Sequence, residues 1–275
     1  MDSNDKILTA FDGIELYTHN WSVENPRAVV LMIHGFGEHI RRYDHVSAFL
    51  NANNIAVVGL DTRGHGKSTG QRGHAPNYDA FMRDIEQFTT YGKSIYPNVP
   101  SIIYGHSMGG NLVLNFITRY QGAFKAAVVT SPWIQTSAPI SKVTIFINRI
   151  VSKIFPKISV DTKLNPDFIS TDKEVVKKYV NDPLVQGKMS AAAGIGVIDA
   201  ANFLDTFNGT IAMPLLIIHG TEDKLISYDA AKAFAARVKG DVTFKSFEGM
   251  YHETHNEPHK LEVFYFLLGW INSKL

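Results

Sequence analysis

The chain has 275 residues, 45% of them hydrophobic, which is enough to form one large domain or two small ones around a sizeable core. The 27 basic and 26 acidic residues leave a formal charge of +1, so a surface that coats nucleic acid is not expected, because it needs a large basic excess. The chain contains no cysteine, which excludes disulfide scaffolds, thiol nucleophiles, cysteine-based zinc sites and iron–sulfur clusters.

Short strand-like runs alternate with helical patterns along most of the chain. The predicted strands are residues 14–18, 28–33, 55–60, 101–104, 126–130, 215–219 and 242–247, and the predicted helices include residues 43–51, 78–96, 111–120 and 228–239. Several strands are continuous runs of Val, Ile and Leu, as in strands that are buried on both faces of a parallel sheet. The pattern predicts an α/β fold with a mostly parallel central sheet flanked by helices.

One stretch interrupts this alternation. Between Trp133 and Phe207 the sequence predicts only helix-like segments and no strand. We therefore expect residues 133–207 to form a helical cap that is inserted after the sixth core strand, and residues 1–132 and 208–275 to form the core. Ligands of open α/β sheets bind at the carboxyl ends of the strands, so a cap at that edge would cover the site.

The segment that follows the strand near Tyr104 carries the most informative motif. Gly105-His106-Ser107-Met108-Gly109 is a Gly-x-Ser-x-Gly sequence with a strand before it and a helical pattern after it. This context predicts a strained turn that presents the serine hydroxyl, with glycines where side chains would collide with neighbouring backbone. The alternative is a glycine-rich turn with an ordinary serine.

A serine nucleophile needs a base and an acid that orients the base. In folds with this motif the chain order is serine, acid, histidine. Asp223 follows the strand at residues 215–219 and is the predicted acid, with its neighbour Glu222 as a competitor. His252 follows the last predicted strand and is favoured as the base over His255 and His259.

The loop after the strand at residues 28–33 is expected to complete an oxyanion hole. Its sequence is His34 to His39, with glycines at positions 35 and 37. We expect the backbone N–H groups of Phe36 and Met108 to bind the developing oxyanion together. A glycine pair that only permits tight packing is the alternative.

Taken together, these motifs resemble the α/β-hydrolase superfamily, and more closely its monoacylglycerol lipase and lysophospholipase group, over nearly the whole chain. The segments that carry the resemblance are His34 to His39, Asp61 to Ser68, Gly105 to Gly110, Asp182 to Leu184, and His252-Glu253 followed by Asn256-Glu257. The resemblance implies the α/β-hydrolase fold, ester hydrolysis by a serine, and structural roles for Asp61 and Arg63.

The resemblance also implies a polar pocket beside the triad that holds the glycerol head group. The residues that match the family's pocket are Glu38, Arg42, His106, Tyr179 and His255, and all of them present polar groups suited to a diol. An alternative role for Glu38 and Arg42 is a local ion pair that fixes the loop. The family's cysteines near the site are missing here.

The predicted cap contains a basic amphipathic segment between Ser141 and Val160. Its apolar residues at helical spacing are Val143, Phe146, Ile147, Ile150, Val151, Ile154 and Phe155, and its basic residues are Lys142, Arg149, Lys153 and Lys157. Such a helix is typical of a membrane-surface element, but a helix that packs its apolar face on the core gives the same pattern. The small apolar run from Ala191 to Ile198 is predicted either to line a tunnel for an acyl chain or to allow close helix packing.

The sequence therefore predicts a serine carboxylester hydrolase that releases fatty acid and glycerol from monoacylglycerols through an acyl-enzyme. The expected partner is a single-chain lipid ester, with lipid-surface contact through the cap and no nucleic acid. No cofactor and no metal are expected, because the histidines lack the paired spacing of a zinc site. The N-terminal segment is polar and the chain has no long apolar run, which predicts a cytoplasmic protein or one at a membrane periphery.

Other activities remain open at this point. A lysophospholipase, a short-chain esterase, a peptide amidase or an acyltransferase would use the same triad. An inactive hydrolase fold that serves as a binding module is a further alternative, which the intact set of catalytic motifs disfavours.

Overall fold

The computed structural model describes residues 4–119 and 124–275, so Met1 to Ser3 and Tyr120, the predicted end of one helix, lie outside the described residues. The strands are β1 (Asp5–Thr9), β2 (Glu15–Trp21), β3 (Ala28–Ile33), β4 (Ile55–Leu60), β5 (Ser101–His106), β6 (Ala126–Thr130), β7 (Ser159–Asp161), β8 (Lys188–Ser190), β9 (Leu215–Gly220) and β10 (Val242–Phe247). The helices are α1 (Asp44–Asn51), α2 (Tyr78–Ile95), α3 (Met108–Arg119), α4 (Lys142–Ile154), α5 (Lys173–Asn181), α6 (Ala191–Thr206), α7 (Tyr228–Arg237) and α8 (Lys260–Lys274).

Eight strands form the central sheet, in the order β1-β2-β4-β3-β5-β6-β9-β10. The six strands β4, β3, β5, β6, β9 and β10 pair in parallel, whereas β2 pairs with β4 and β1 with β2 in antiparallel fashion. Every residue of β3, β4, β5, β6 and β9 is buried, which explains why each of these strands contains an unbroken apolar run. The predicted mostly parallel sheet is confirmed. The sequence analysis missed β1, a short edge strand of mixed polarity.

The two faces of the sheet are covered by different helices, and each face has its own core. Along β3, Val29, Leu31 and Ile33 belong to one core, which includes residues of α2, α3, α6 and α7. Val30 and Met32 belong to the other, which includes residues of α1 and α8. The alternation follows from the two-residue period of a strand, and a helix layer on each side buries both sets.

Residues 133–207 contain α4, α5 and α6 between β6 and β9. The expectation of helical segments alone was wrong at two places, because β7 and β8 pair in antiparallel fashion, with Ser159 opposite Ser190. Strands of three residues are too short to leave a periodic pattern, and their hydrogen bonds come from a distant segment. The buried side of α6 contributes to the core against α3, where Asn115 Nδ2 donates to the Ala200 carbonyl at 3.4 Å.

In the described part of the chain, none of the helices combines the length and the apolar character that crossing a membrane requires.

Candidate active site

Ser107 occupies the turn between β5 and α3. Its φ angle is +54°, in the left-handed backbone region that residues other than glycine adopt at a cost of about 1–3 kcal/mol. The Ser107 N–H donates to the Thr130 carbonyl at 2.9 Å, and its own carbonyl accepts from Asn111 N at 2.9 Å. The serine is therefore held in a strained conformation at the carboxyl end of a central strand.

The glycines on either side of Ser107 are required by backbone contacts. A Cβ atom on Gly105 would clash with the Gly109 carbonyl oxygen, and one on Gly109 would clash with the carbonyl oxygens of Ile33 and His34. Neither contact can relax by rotating a side chain, so the predicted steric reason for this motif is confirmed.

Asp223 and His252 meet at the carboxyl ends of β9 and β10. His252 Nδ1 lies 2.7 Å from Asp223 Oδ2, and the N–H groups of Leu225 and Ile226 donate to Asp223 Oδ1 at 2.9 Å. The competing acid, Glu222, is exposed. The structure thus brings the predicted acid to the predicted base.

The electrostatics of this pair suit a general base. Burial alone would lower the pKa of His252, but the charge and the hydrogen bond of Asp223 raise it above its ordinary value. Burial likewise opposes ionisation of Asp223, but the interaction with His252 outweighs it and holds the pKa of that carboxyl well below its usual range. Asp223 is therefore ionised and stabilises the protonated form of His252.

Ser107 and His252 line a single cavity of about 430 Å³. Its wall near the serine is polar and includes Glu38, His106 and Tyr179. The remaining wall is largely apolar, and much of it comes from residues 133–207: Trp133, Ile140, Leu164, Ile195 and Ile198. The run from Ala191 to Ile198 thus lines the cavity and also packs in the core through its buried alanines.

The two predicted oxyanion donors belong to the segments that follow β3 and β5. Met108 is the first residue of α3, and Phe36 follows β3 and lines the cavity. Among residues 4–119 and 124–275, neither backbone N–H has an acceptor. The Phe36 loop is joined to residues 133–207, because the Gly37 carbonyl accepts from Gln186 N at 2.8 Å.

Arg42 lies behind the polar wall, between two buried carboxylates. Its Nη1 is 2.5 Å from Glu38 Oε2, and Nη1 and Nη2 each lie 2.7 Å from an oxygen of Glu253. Burial raises the pKa of Glu38, against the opposing charge of Arg42. For Glu253, burial acts in the same direction but Arg42 prevails, so the pKa of Glu253 is lowered. The predicted Glu38–Arg42 ion pair is therefore part of a three-residue network.

Glu253 was missed as a site residue by the sequence analysis. It lines the cavity and directly follows His252, and this adjacency was the available signal. Ligand atoms of Glu38, His106 and Glu253 lie within 4.8 Å of one another, a spacing that could hold a metal ion among the described residues. The guanidinium of Arg42 already bonds both carboxylates, so the cluster is an ion-pair network.

The remaining residues that the resemblance assigned to the head-group pocket lie at different depths. His106 lines the cavity and its Nδ1 is 2.9 Å from Thr130 Oγ1. Tyr179 also lines the cavity, with the Arg42 guanidinium 4.7 Å from its ring centre. His255 is buried behind His106, stacked on Tyr43 at 4.6 Å, and burial lowers its pKa well below the ordinary value.

Asp61 and Arg63 lie away from this cavity and hold loops. Asp61 accepts hydrogen bonds from Ile40 N and Lys67 N, both at 2.7 Å. Arg63 binds the carboxylates of Asp84 and Asp12. These contacts are structural, as the resemblance implied.

A mostly parallel sheet whose fifth strand ends at a strained serine, with an acid–histidine pair at the same edge, is the α/β-hydrolase fold. Residues 24–259 match the family described as serine aminopeptidase, S33. The monoacylglycerol lipase of Mycolicibacterium smegmatis is 34% identical over 96% of this chain and 95% of its own length. The human monoglyceride lipase is 27% identical over 97% of this chain and 90% of its own.

A solved structure extends the similarity to three dimensions. The crystal structure of the Paleococcus ferrophilus monoacylglycerol lipase superposes with a TM-score of 0.87 at 27% identity, covering 95% of this chain and all of that one. The chain belongs to the S33 family of α/β-hydrolases and, within it, to the monoacylglycerol lipase group. It is a serine ester hydrolase.

Proposed function

We propose that the protein hydrolyses monoacylglycerols to a fatty acid and glycerol. The observation that carries the proposal is the composition of the cavity wall, where Ser107 and a few polar side chains accompany a larger apolar lining. A single acyl chain fits the apolar part, and a head group rich in hydroxyls fits the polar part. The activity of the 34% identical relative supports the same substrate class.

In the proposed reaction, Ser107 Oγ attacks the ester carbonyl while His252 takes the hydroxyl proton. Asp223 keeps the His252 ring oriented and stabilises its protonated form. The N–H groups of Phe36 and Met108 bind the oxyanion, and each such donor is worth about 3 kcal/mol of transition-state stabilisation. His252 then donates its proton to the departing glycerol oxygen, and a water molecule activated by His252 cleaves the acyl-enzyme.

The head-group pocket in this proposal consists of residues that line the cavity and of residues that support them from behind. Glu38, His106 and Tyr179 line the cavity and are in a position to contact glycerol hydroxyls. Arg42 acts through the carboxylates that it holds, and His255 supports His106 from behind. Residues 133–207 form the proposed cap, and the share of the cavity wall that they supply supports this division of the chain.

The test of the proposed function is the release of fatty acid from 1-monoacylglycerols of increasing chain length. We expect activity in the wild type and none above background in Ser107→Ala, with Ser94→Ala, a change on α2, as the matched control. If the wild type were inactive towards monoacylglycerols but active on lysophospholipids, short esters or aminoacyl amides, the proposed substrate class would be wrong. Formation of a new ester with an added alcohol, in preference to hydrolysis, would favour an acyltransferase.

We further propose that α4 contacts a lipid surface. No residue of α4 is buried, and Val143, Phe146 and Ile154 are each more than 60% exposed. This exposure supports the lipid-surface interpretation over a helix that packs its apolar face on the core. Thr144 and Asn148 of the same helix line the cavity, which would set the lipid surface beside the entrance for the substrate.

The basic residues of this segment do not contribute equally. Arg149 binds Asp199 of α6 through two contacts, at 2.5 and 2.8 Å. Lys142, Lys153 and Lys157 are exposed and have no carboxylate partner within the described ranges. Attraction to anionic lipid should therefore depend on the three lysines.

Sedimentation with vesicles tests this contact. Reversal of Lys142, Lys153 and Lys157 to Glu should release the protein from anionic vesicles, since each lysine near an anionic surface contributes about 1 kcal/mol. Reversal of three exposed lysines of the core, Lys125, Lys232 and Lys239, changes the net charge equally and should leave binding intact. Equal behaviour of the two triple variants would contradict the proposal.

A further inference from the structure

A second imidazole contacts the acid of the proposed triad. His219, near the carboxyl end of β9, is fully buried, and its Nε2 lies 3.0 Å from Asp223 Oδ2. The same oxygen lies 2.7 Å from His252 Nδ1. With the two backbone N–H groups on Oδ1, the carboxylate of Asp223 has four donors, which is about its full capacity.

The environment of His219 defines which of its nitrogens carries the proton. Nδ1 is buried and has no partner among the described residues, whereas Nε2 faces the carboxylate. The ring also meets the Tyr228 ring edge-on, at 5.8 Å between centres. Nε2 is therefore the nitrogen through which His219 donates to Asp223.

The contact is fixed by strand β9 and by the loop that carries His252. Gly220 follows His219, and a Cβ atom there would clash with the carbonyl oxygens of Met250 and Tyr251. The His252 loop therefore lies directly against the end of β9. Ser131 Oγ donates to the His252 carbonyl at 2.8 Å and anchors the loop from the other side.

We propose that His219 is a positioning residue that sets the basicity of His252 by orienting Asp223 and withdrawing part of its charge. The inference rests on the proposed triad. A hydrogen bond to the ionised carboxylate stabilises it, and a carboxylate that shares its charge with a second donor stabilises the His252 imidazolium less. Without His219, Asp223 would interact more strongly with His252, and His252 would hold its proton at a higher pH.

The test compares His219→Leu, which removes the donor, with His219→Gln, whose amide can donate from the same place. We expect the acid limb of kcat/KM for a water-soluble ester to move upward by roughly 0.5–1 pH unit in His219→Leu. We expect kcat at the optimum to fall about tenfold with KM little changed, far less than the roughly 10⁴-fold loss when a triad acid is replaced. His219→Gln should keep the wild-type pH profile. Ile217→Val, a buried change on the same strand, is the matched control.

A second readout does not depend on turnover. The proton in the His252 Nδ1–Asp223 hydrogen bond gives a downfield resonance whose pH titration reports the protonation of His252. Its midpoint should move upward in His219→Leu and stay in place in His219→Gln.

Two results would overturn the inference. A wild-type pH midpoint in His219→Leu would show that His219 only fills space, and equal shifts in both variants would show that packing is responsible. An error in the proposed triad itself would be detected separately, because Ser107→Ala would then keep full activity.

Discussion

Replacement of Arg42 by Met tests the buried charge network beside the proposed active site. The Arg42 side chain is 9% exposed and the two carboxylates 3% each, and three short contacts join them. Removing the guanidinium leaves two acidic groups in a buried site without their partner. Loss of one member of a buried ion pair costs about 3–5 kcal/mol, because the remaining charge stays desolvated.

In the Arg42→Met variant, the repulsion between the carboxylates of Glu38 and Glu253 has a magnitude similar to that cost. Ligand oxygens of Glu38 and Glu253 lie within 4.8 Å of each other. Two unit charges at that distance repel by roughly 3.5 kcal/mol at an effective dielectric constant near 20. We therefore expect Arg42→Met to lower the free energy of unfolding at pH 7.5 by about 3–5 kcal/mol.

The effect should depend on pH. Without Arg42, at least one carboxylate has a folded-state pKa above its value in the unfolded chain. The contribution of such a group to the stability of the folded state is complete at pH values below its pKa in the unfolded chain. That contribution is lost as the pH rises through its pKa in the folded state. The loss of unfolding free energy in Arg42→Met should therefore become smaller as the pH falls from 8 towards 5.

Guanidinium chloride unfolding, followed by tryptophan fluorescence and extrapolated linearly, measures these changes. Arg41→Met is the matched control, because Arg41 binds Asp44 in a half-exposed pair that should contribute about 1 kcal/mol or less. The double variant Arg42→Met/Glu253→Gln should recover part of the loss. A cost below about 1 kcal/mol for Arg42→Met, or a cost independent of pH, would refute the reasoning.

Three further predictions concern the catalytic turn and the base. Ser107→Gly should abolish activity yet stabilise the fold by about 1 kcal/mol, because glycine tolerates the positive φ. Gly109→Ala should destabilise by about 1–3 kcal/mol, since its Cβ would meet the carbonyl oxygens of Ile33 and His34. The kcat/KM profile should fall on the acid side with a midpoint above 6.5, the ordinary histidine value, because Asp223 raises the pKa of His252 and only the neutral base accepts a proton.

The same unfolding and kinetic assays check these outcomes. Gly269→Ala is the control for the glycine change, because nothing lies within 4 Å of a Cβ there and helix α8 should gain stability. A Ser107→Gly variant less stable than wild type would mean that the turn stores no strain. An acid midpoint at or below 6.5 would mean that Asp223 does not stabilise the charged form of His252.

The main features of the sheet could be predicted because they follow from local sequence. A strand buried on both faces contains an unbroken apolar run, and five of the parallel strands contain one. The serine turn is also local, since the glycines that it needs lie two residues before and after Ser107. The acid and the base were assigned from chain order and from their positions after strands, which fold topology makes informative.

Other features depend on segments far apart in the chain and had no local signal. β1, β7 and β8 are short, and their pairing partners decide their conformation. His219 could be noticed only as a histidine in an apolar strand four residues before the predicted acid. The ion pair of Arg149 with Asp199 joins two helices whose packing no pattern in either helix specifies.

The amphipathic segment of residues 141–160 illustrates the division between sequence and tertiary structure. The sequence by itself determined that a helix with apolar and basic residues would form there, because periodicity is a property of neighbouring residues. Only the tertiary structure decided that its apolar side chains are exposed and that Arg149 is paired, because burial depends on which elements pack against the helix. The same holds for the active site, where the sequence supplied the reactive side chains and the folded sheet brought Asp223, His252, Glu253 and Arg42 to one edge.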